Sequence, residues 1–358
     1  RWTLGPAGPQ TLRATLGNLQ VTLRADAMAH GTRVLLTQVP GRILDATPGR
    51  VLWVDSAGVR AVRVRHLPAG TDETIATGLT AVPTLGHLYS AGALFAVPAG
   101  GPAGELFEWR NGTLASLGQV DLWAGVRLSG EWVAWGTAAG RYRRDLAAGA
   151  TITLPGAGAV LAVGPNGDVI WNEDSGRRRM QRYRDGQVTS FAFSNMNEDV
   201  VTDGVHVAAA ERIMGNEWFR LVSGDGGTAT QELLSYNPWV GFARTYGRGY
   251  DVSGGWVAWA SHRQNVSWSR QGTYYVYRRP EPLTGHRRGM VETLAPNGEL
   301  MYRTPEGEAW DAPIVRFLDV PGGLVWDFGL VADGERVVWR DGAFLLITSD
   351  GTLYELHR

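Results

Sequence analysis

The sequence predicts an all-β protein built from a repeat of about forty residues, and two observations support this. Its 48 glycines and 17 prolines are spread so evenly that the longest stretch without either is residues 187–203. Such spacing leaves little room for helices of ordinary length. Between these residues lie short runs rich in branched and aromatic side chains, such as RVLWV, WVAW, TYYVY and FLLI. Runs of this kind are typical of β-strands.

A turn glycine precedes an apolar strand at regular intervals. The intervals measure 36 to 50 residues, and the glycines are Gly49, Gly92, Gly130, Gly167, Gly204, Gly254, Gly298 and Gly334. A period near forty made of short strands is typical of a β-propeller, because each four-stranded sheet buries its faces against the neighbouring sheets. We therefore predict a single closed β-propeller with eight four-stranded blades, and seven blades as the alternative.

An aromatic residue follows most of these glycines at a distance of four or five residues. The residues at this position are Trp53, Trp135, Trp171, Trp259, Tyr302 and Trp339. Phe95 lies one residue early, and the alanines at 208–210 form the weak copy. We expect these aromatic rings to pack between blades rather than to stack on a ligand, each contributing roughly 2–3 kcal/mol of apolar burial.

Residues 1–40 fall outside the repeat, so we assign the propeller to residues 41–358. The first segment contains two strand-like pieces, LQVTLRA and TRVLLTQ. An open ring of sheets would leave a long unpaired edge, which propellers avoid by letting one terminus complete the blade of the other. We expect the N-terminal segment to complete the last blade, and a separate N-terminal hairpin is the alternative.

Three of the repeats carry a resemblance to a known family. GPNGDVIW, APNGELMY and VADGERVVW resemble the repeat of TolB-like and WD40-like propellers, in which a turn of the Pro-Asp-Gly type precedes an apolar second strand. The likeness spans about 310 residues. It implies the propeller fold, and it transfers no catalytic residue to this chain.

Composition excludes several classes of function. A net charge of −1 provides no overall field for nucleic acid or anionic membranes. The absence of cysteine rules out disulfides and thiolate chemistry, and because all 34 basic residues are arginine, lysine chemistry is ruled out as well. No apolar run is long enough to span a membrane. We expect an extracellular or cell-envelope protein, for example a periplasmic one.

Local motifs give little support for catalysis. The seven histidines show no metal-binding spacing and no GxSxG motif occurs, so we expect neither a metal nor another cofactor. Asn111-Gly-Thr is a possible glycosylation sequon, but Asn-Gly between two strands also predicts a type I′ hairpin turn.

The segment from Arg244 to Arg288 differs from the rest of the chain. It holds eight arginines against two acidic residues, a local charge of +6, together with five tyrosines. Guanidinium groups hold carboxylate, sulfate or phosphate, and aromatic rings stack on sugar faces. The candidate binding residues are His262, Arg263, Trp268, Arg270, Tyr274, Arg287 and Arg288. Alternatively, the arginines pair with acidic residues of the next blade, namely Glu292, Glu299, Glu306, Glu308 and Asp311.

Two functions remain open at this point. In the first, which we favour, the chain is a non-catalytic scaffold whose rim binds a protein or an anionic or carbohydrate polymer. In the second, it is a polysaccharide lyase or glycoside hydrolase acting on an acidic glycan, with His262 or His206 as the base and arginines neutralising a uronate. A channel lined by histidines and carboxylates would favour the enzyme.

Overall fold

The computed structural model describes residues 8–16, 19–27, 29–55, 60–123, 125–172, 179–192, 196–213, 216–223, 230–236, 250–260, 266–270, 273–277, 290–306, 309–319, 324–332 and 334–358. In part of these strands, including residues 8–16, 19–27, 266–270 and 273–277, only the backbone is described. Every regular element in these ranges is a β-strand.

Most of the strands form eight sheets, each a meander of consecutive antiparallel strands. The strands of sheets one to four are β5 (Arg42–Ala46), β6 (Arg50–Asp55), β7 (Ala61–His66) and β8 (Thr71–Ala76); β9 (Leu85–Tyr89), β10 (Gly92–Gly100), β11 (Ala103–Arg110) and β12 (Thr113–Asp121); β13 (Val126–Ser129), β14 (Trp132–Gly136), β15 (Arg141–Asp145) and β16 (Ala150–Leu154); and β17 (Val160–Val163), β18 (Val169–Asn172), β19 (Arg179–Arg184) and β20 (Gln187–Ala192).

Sheets five to eight repeat this order. Their strands are β21 (Met196–Thr202), β22 (His206–Ile213), β23 (Asn216–Ser223) and β24 (Thr230–Tyr236); β25 (Tyr250–Ser253), β26 (Trp256–Ala260), β27 (Val266–Arg270) and β28 (Thr273–Tyr277); β29 (Met290–Leu294), β30 (Glu299–Glu306), β31 (Ala309–Asp319) and β32 (Leu324–Leu330); and β33 (Arg336–Arg340), β34 (Ala343–Ile347) and β35 (Thr352–His357).

The N-terminal strands are β1 (Gly8–Leu16), β2 (Leu19–Ala27), β3 (Ala29–His30) and β4 (Thr32–Gln38). Strands β1 and β2 pair with each other as a two-stranded sheet. Strand β3 lies parallel to β32 at the edge of sheet seven, and β4 pairs antiparallel with β35. The fourth strand of sheet eight is therefore supplied by the beginning of the chain.

Apolar clusters join successive sheets. For example, Trp135 of sheet three packs with Leu94 of sheet two, and Tyr302 of sheet seven packs with Trp256 of sheet six. A further cluster joins the last sheet to the first, with Leu345 beside Trp53. The all-β propeller class is thus confirmed. The count of eight blades stays a prediction, because several links between sheets lie outside the described residues.

The two WVAW strands have the same packing partner. The first tryptophan of each, Trp132 in sheet three and Trp256 in sheet six, lies against the turn glycine of the following sheet, Gly167 or Gly298. Both glycines have positive φ, 82° and 92°, and a Cβ atom there would come within 2.7 Å or 2.6 Å of the indole. The repeated WVAW strand is therefore matched to a Pro-Asn-Gly turn in the next sheet.

The predicted aromatic positions are mostly confirmed. Trp53, Phe95, Trp135, Trp171 and Tyr302 are all buried, whereas the side chain of Trp259 lies outside the described residues.

For the last glycine of the series, the prediction of a turn before the second strand was wrong. Gly334 precedes the first strand of its sheet rather than the second, and the turn between these two strands is at Asp341 and Gly342. Trp339 accordingly lies on the first strand and is half-buried.

The turn predicted at Asn111 is confirmed. Asn111 and Gly112 connect β11 to β12 and both have positive φ, 49° and 77°, as a type I′ turn requires. In the part of the chain that is described, no helix has the length and apolar character needed to cross a membrane.

Candidate functional site

Polar side chains on the first strands of several sheets form buried pairs that link one sheet to another. Asp45 on β5 accepts hydrogen bonds from the Leu88 amide and from the Arg340 guanidinium, both at 2.7 Å. His87 on β9 lies 2.7 Å from Arg340 through Nδ1 and 2.6 Å from the Gly130 carbonyl oxygen through Nε2. One cluster therefore connects sheets eight, one, two and three.

The partners of His87 define its protonation state. A guanidinium only donates and a carbonyl only accepts, so Nδ1 must accept from Arg340 and Nε2–H must donate to Gly130. The imidazole is therefore neutral. Burial lowers the pKa of His87, and Arg340 lowers it further, while nearby Asp45 raises it. A proton added at Nδ1 would face the guanidinium directly.

We expect the stability of the protein to decrease as the pH falls below about 6.5, the ordinary pKa of histidine. Because the pKa of His87 is lowered in the folded state, the unfolded chain binds the proton more readily, at a cost of up to about 1.4 kcal/mol per pH unit. Urea unfolding at pH 7.5 and pH 5.5 measures the effect. The variant His87→Gln can donate and accept as the neutral ring does, so it should lose less stability over this range; an equal loss would contradict the assignment.

A second polar cluster surrounds the turn between β21 and β22. The Asp203 carboxylate accepts hydrogen bonds from the amides of Val205, His206 and Gly255 at 2.7–2.9 Å. It also lies 3.2 Å from Nδ1 of His206. Burial alone would raise the pKa of Asp203, but the hydrogen bonds from His206, Gly255 and Val205 lower it to about 2. Asp203 is therefore ionised and orients the imidazole of His206.

The other nitrogen of His206 is available to a ligand. Nε2 has no hydrogen-bond partner among the described residues, and the imidazole is 18% exposed. A carboxylate at Nδ1 with Nε2 free is the arrangement of a general base. His206 is one of the two candidate bases predicted from the sequence. The other, His262, lies outside the described residues.

Two arginines of sheet four support this turn. Arg182 and Arg184 both contact the Asp168 carboxylate at 2.6 Å and the Gly204 carbonyl. Arg182 and Asp168 are almost completely buried, whereas the Arg184 side chain is 26% exposed. The turn that carries His206 is thus held by sheet four on one side and by the Gly255 amide of sheet six on the other.

Arginine side chains connect neighbouring sheets throughout the described chain. Each donates to a backbone carbonyl of an adjacent sheet or of the segment that leads into it: Arg50 to Tyr89, Arg110 to Ala147, Arg127 to Leu161, Arg143 to Gly167, Arg303 to Glu335 and Arg336 to Leu44. Buried carbonyl oxygens need such donors. A structural role between blades is therefore the common use of arginine in this part of the protein.

Two of the acidic residues considered as partners of the arginine-rich segment form ion pairs with arginines outside it. The Glu292 carboxylate lies 2.5 Å from Arg303, and Glu299 pairs with Arg358. Both of these arginines lie outside residues 244–288. The side chains of Glu306, Glu308 and Asp311 are outside the described residues.

The predicted binding residues are placed only by their backbone or not at all. His262, Arg263, Arg287 and Arg288 lie outside the described residues. Trp268 pairs with Tyr275, and Arg270 pairs with Thr273 at the end of the ladder between β27 and β28. Tyr274 is opposite Ser269. Their grouping into one site stays a prediction.

The strand register places the described part of sheet six. Ala260 pairs with Val266, and Val266 pairs with Tyr277, so these three residues lie at one end of β26, β27 and β28. Arg270 and Thr273 pair at the opposite end of β27 and β28.

Sequence reasoning missed the cluster of Asp45, His87 and Arg340. These residues are 42 and 253 positions apart along the chain, and no local motif connects them. The Asp203 cluster did have a signal, since Asp-Gly-Val-His forms a tight turn with a carboxylate three residues before a histidine. Within the described residues, no group of three histidines and carboxylates is placed to hold a metal ion.

No protein-family model and no curated protein sequence matches the chain. Solved structures do match. They include the computationally designed protein Ika8, with 13% identity, a TM-score of 0.53, and coverage of 91% of this chain and 99% of that one. The C-terminal WD40 domain of Sif2 has 11% identity, a TM-score of 0.52, and coverage of 93% and 99%.

A third match is part of an enzyme. Dipeptidyl peptidase 4 from Porphyromonas gingivalis has 10% identity, a TM-score of 0.51, and coverage of 87% of this chain but only 56% of the peptidase. At these identities the similarity defines the fold alone. The protein has the β-propeller fold, as the repeats indicated.

Proposed function

We propose that this protein is a non-catalytic binding module that presents residues 244–288 to an anionic partner outside the cell or in the cell envelope. One observation carries the proposal. This segment has a charge of +6 and is rich in tyrosine, in a chain whose net charge is −1. The partner is an acidic protein surface or an acidic polymer, since both offer carboxylate or sulfate groups to a guanidinium.

The described strands within the segment support the proposal. Ala260, Val266 and Tyr277 lie at one end of β26, β27 and β28, and the connecting loops of a rigid scaffold are where recognition residues concentrate. The carboxylates of Glu292 and Glu299 in the next sheet already pair with other arginines. Two of the five acidic residues considered as its partners therefore pair with arginines outside the segment.

The double variant Arg263→Ala with Arg287→Ala tests this function. We expect it to bind poly-glutamate or alginate at least about tenfold more weakly, because two charge contacts are lost, with little change in melting temperature. Binding by the parent protein should weaken as salt is added, since exposed charges are screened over about 8 Å at physiological ionic strength. Affinity is measured by fluorescence anisotropy with a labelled polymer.

Arg143→Ala is the matched control. Arg143 donates to the Gly167 carbonyl at 3.0 Å and lies over the Trp132 ring, so its loss should lower stability and leave polymer binding unchanged. Arg270 lies at the opposite end of the strands of sheet six, so the polymer affinity of Arg270→Ala shows whether the site extends along the sheet. If no acidic polymer binds the parent and the double variant is destabilised as Arg143→Ala is, the arginines of the segment are structural.

A lyase or hydrolase acting on an acidic glycan is the second candidate, and the geometry of His206 favours it. The ionised Asp203 orients the ring, and Nε2 has no hydrogen-bond partner among the described residues. The same alginate samples test this activity through the ultraviolet absorbance of unsaturated products and through new reducing ends. Product that forms with the parent and is lost in His206→Gln would replace the binding function with the enzyme.

A further inference from the structure

A small cavity of about 220 Å³ lies between sheets seven and eight. Its apolar wall consists of Phe328, Trp339 and Phe344, and the last two rings are 4.6 Å apart. Its polar wall holds the carboxylates of Glu299 and Glu355 together with the side chains of His357 and Arg358. The cavity is smaller than the roughly 300–1,000 Å³ of pockets that hold small-molecule ligands, so one amino-acid side chain is the size of ligand it fits.

The cavity already has a cationic group at its edge. The guanidinium of Arg358 pairs with Glu299, whose side chain is only 10% exposed, while the Arg358 side chain itself is 50% exposed. Glu355 pairs with His357 at 3.1 Å in the same way. The chain thus places its own basic side chains against the carboxylates of the cavity.

We propose that this cavity binds an arginine side chain of a partner protein, and that Arg358 competes for it. A carboxylate at low exposure beside aromatic rings is suited to a cation, because the ring faces and the carboxylate both attract positive charge. The planar guanidinium fits this setting better than an ammonium, since it stacks on an aromatic face while it donates two hydrogen bonds to a carboxylate.

Displacement of Arg358 is feasible because its own side chain is half exposed, whereas the Glu299 side chain is only 10% exposed. A second arginine that pairs with Glu299 would restore a partner to this buried carboxylate, so the exchange leaves no unpaired buried charge. This site has the opposite charge preference to the arginine-rich segment, and it does not depend on the function proposed above. A partner could therefore contact the propeller with acidic groups at one place and an arginine at another.

Fluorine NMR of the full chain labelled with 5-fluorotryptophan tests the proposal. The Trp339 resonance is assigned by its absence in Trp339→Phe. Titration with N-acetyl-arginine amide should shift this resonance in a saturable manner. N-acetyl-citrulline amide, which has nearly the same shape without the charge, should not shift it. Equal shifts with both compounds, or none with either, would overturn the proposal.

Three variants sharpen the result. Glu299→Gln should weaken arginine binding about two- to fivefold, the loss expected for one partly exposed ion pair. Arg358→Ala should strengthen it, because the competing guanidinium is removed; unchanged affinity would contradict the competition. Should Glu299→Gln fail to fold by circular dichroism, Glu355→Gln provides the same test from the other carboxylate, and unweakened binding there would count against the site.

Discussion

A chain that lacks residues 1–40 should aggregate or unfold at a much lower urea concentration than the full chain. We propose that β4 closes the ring, because it pairs with β35 from Thr32 to Gln38 and is the fourth strand of sheet eight. Its removal deletes this ladder and the buried Val39, which packs with Trp53 and Leu345. At about 0.5–1.5 kcal/mol per hydrogen bond and roughly 1.5 kcal/mol for the valine, the loss should exceed about 4 kcal/mol.

A shorter truncation is the matched control. Removing residues 1–28 deletes the hairpin β1–β2, which pairs only with itself in the described chain, and keeps β3 and β4. This variant should melt within about 2 °C of the full chain. In the chain that lacks residues 1–40, the edge of β35 is exposed, and light scattering after gel filtration detects association through it. If both truncated chains remain monomeric and equally stable, β4 is an accessory strand and the ring is held by the contacts between sheets alone.

The fold could be predicted because its signals are local. A turn glycine, a short apolar strand and an aromatic ring recur within each repeat, and each of these features has a physical requirement that neighbouring residues satisfy. Asn111 and Gly112 illustrate this, since two adjacent residues that tolerate positive φ suffice to define the hairpin.

The last repeat shows where local signals are ambiguous. Asp333-Gly334 and Asp341-Gly342 are two identical dipeptides, both favourable for a turn, only eight residues apart in the sequence. Nothing nearby indicates which of them joins the first and second strands. Strand β4 supplies the fourth strand of sheet eight, so residues 336–357 provide only three strands. The strand that contains Trp339 is therefore the first strand of the sheet. Its position in the sheet thus depends on β4, which is about 300 residues away along the chain.

The candidate sites were harder to predict than the last repeat, because they depend on contacts between sheets. Asp45, His87 and Arg340 meet only when the last sheet lies beside the first. Similarly, Trp339 and Glu299 line one cavity although they lie on different sheets. Arginine by itself is uninformative here, since the side chain that binds carbonyl oxygens between blades is equally suited to binding an anion.

The variant Trp171→Ala should be destabilised by about 3–5 kcal/mol, the usual cost of truncating a large buried aromatic side chain. Trp171 is fully buried among Ala134, Leu154 and Val160 of sheets three and four. Its indole N–H also donates to the Gln181 side chain at 2.9 Å, so the substitution also removes the partner of this partly buried acceptor. Urea unfolding followed by circular dichroism measures the loss.

Trp123→Ala provides the comparison, because the Trp123 side chain is 78% exposed and its loss should cost less than about 0.5 kcal/mol. Equal losses in the two variants would show that Trp171 does not pack between sheets. The shape of the Trp171→Ala transition carries further information. In a linear array of repeats, weakening one interface lets the repeats on either side unfold separately. In a closed ring each sheet keeps a second neighbour, so the transition should shift as a whole and remain single; a new early phase would mean that the ring opens at sheets three and four before the rest unfolds.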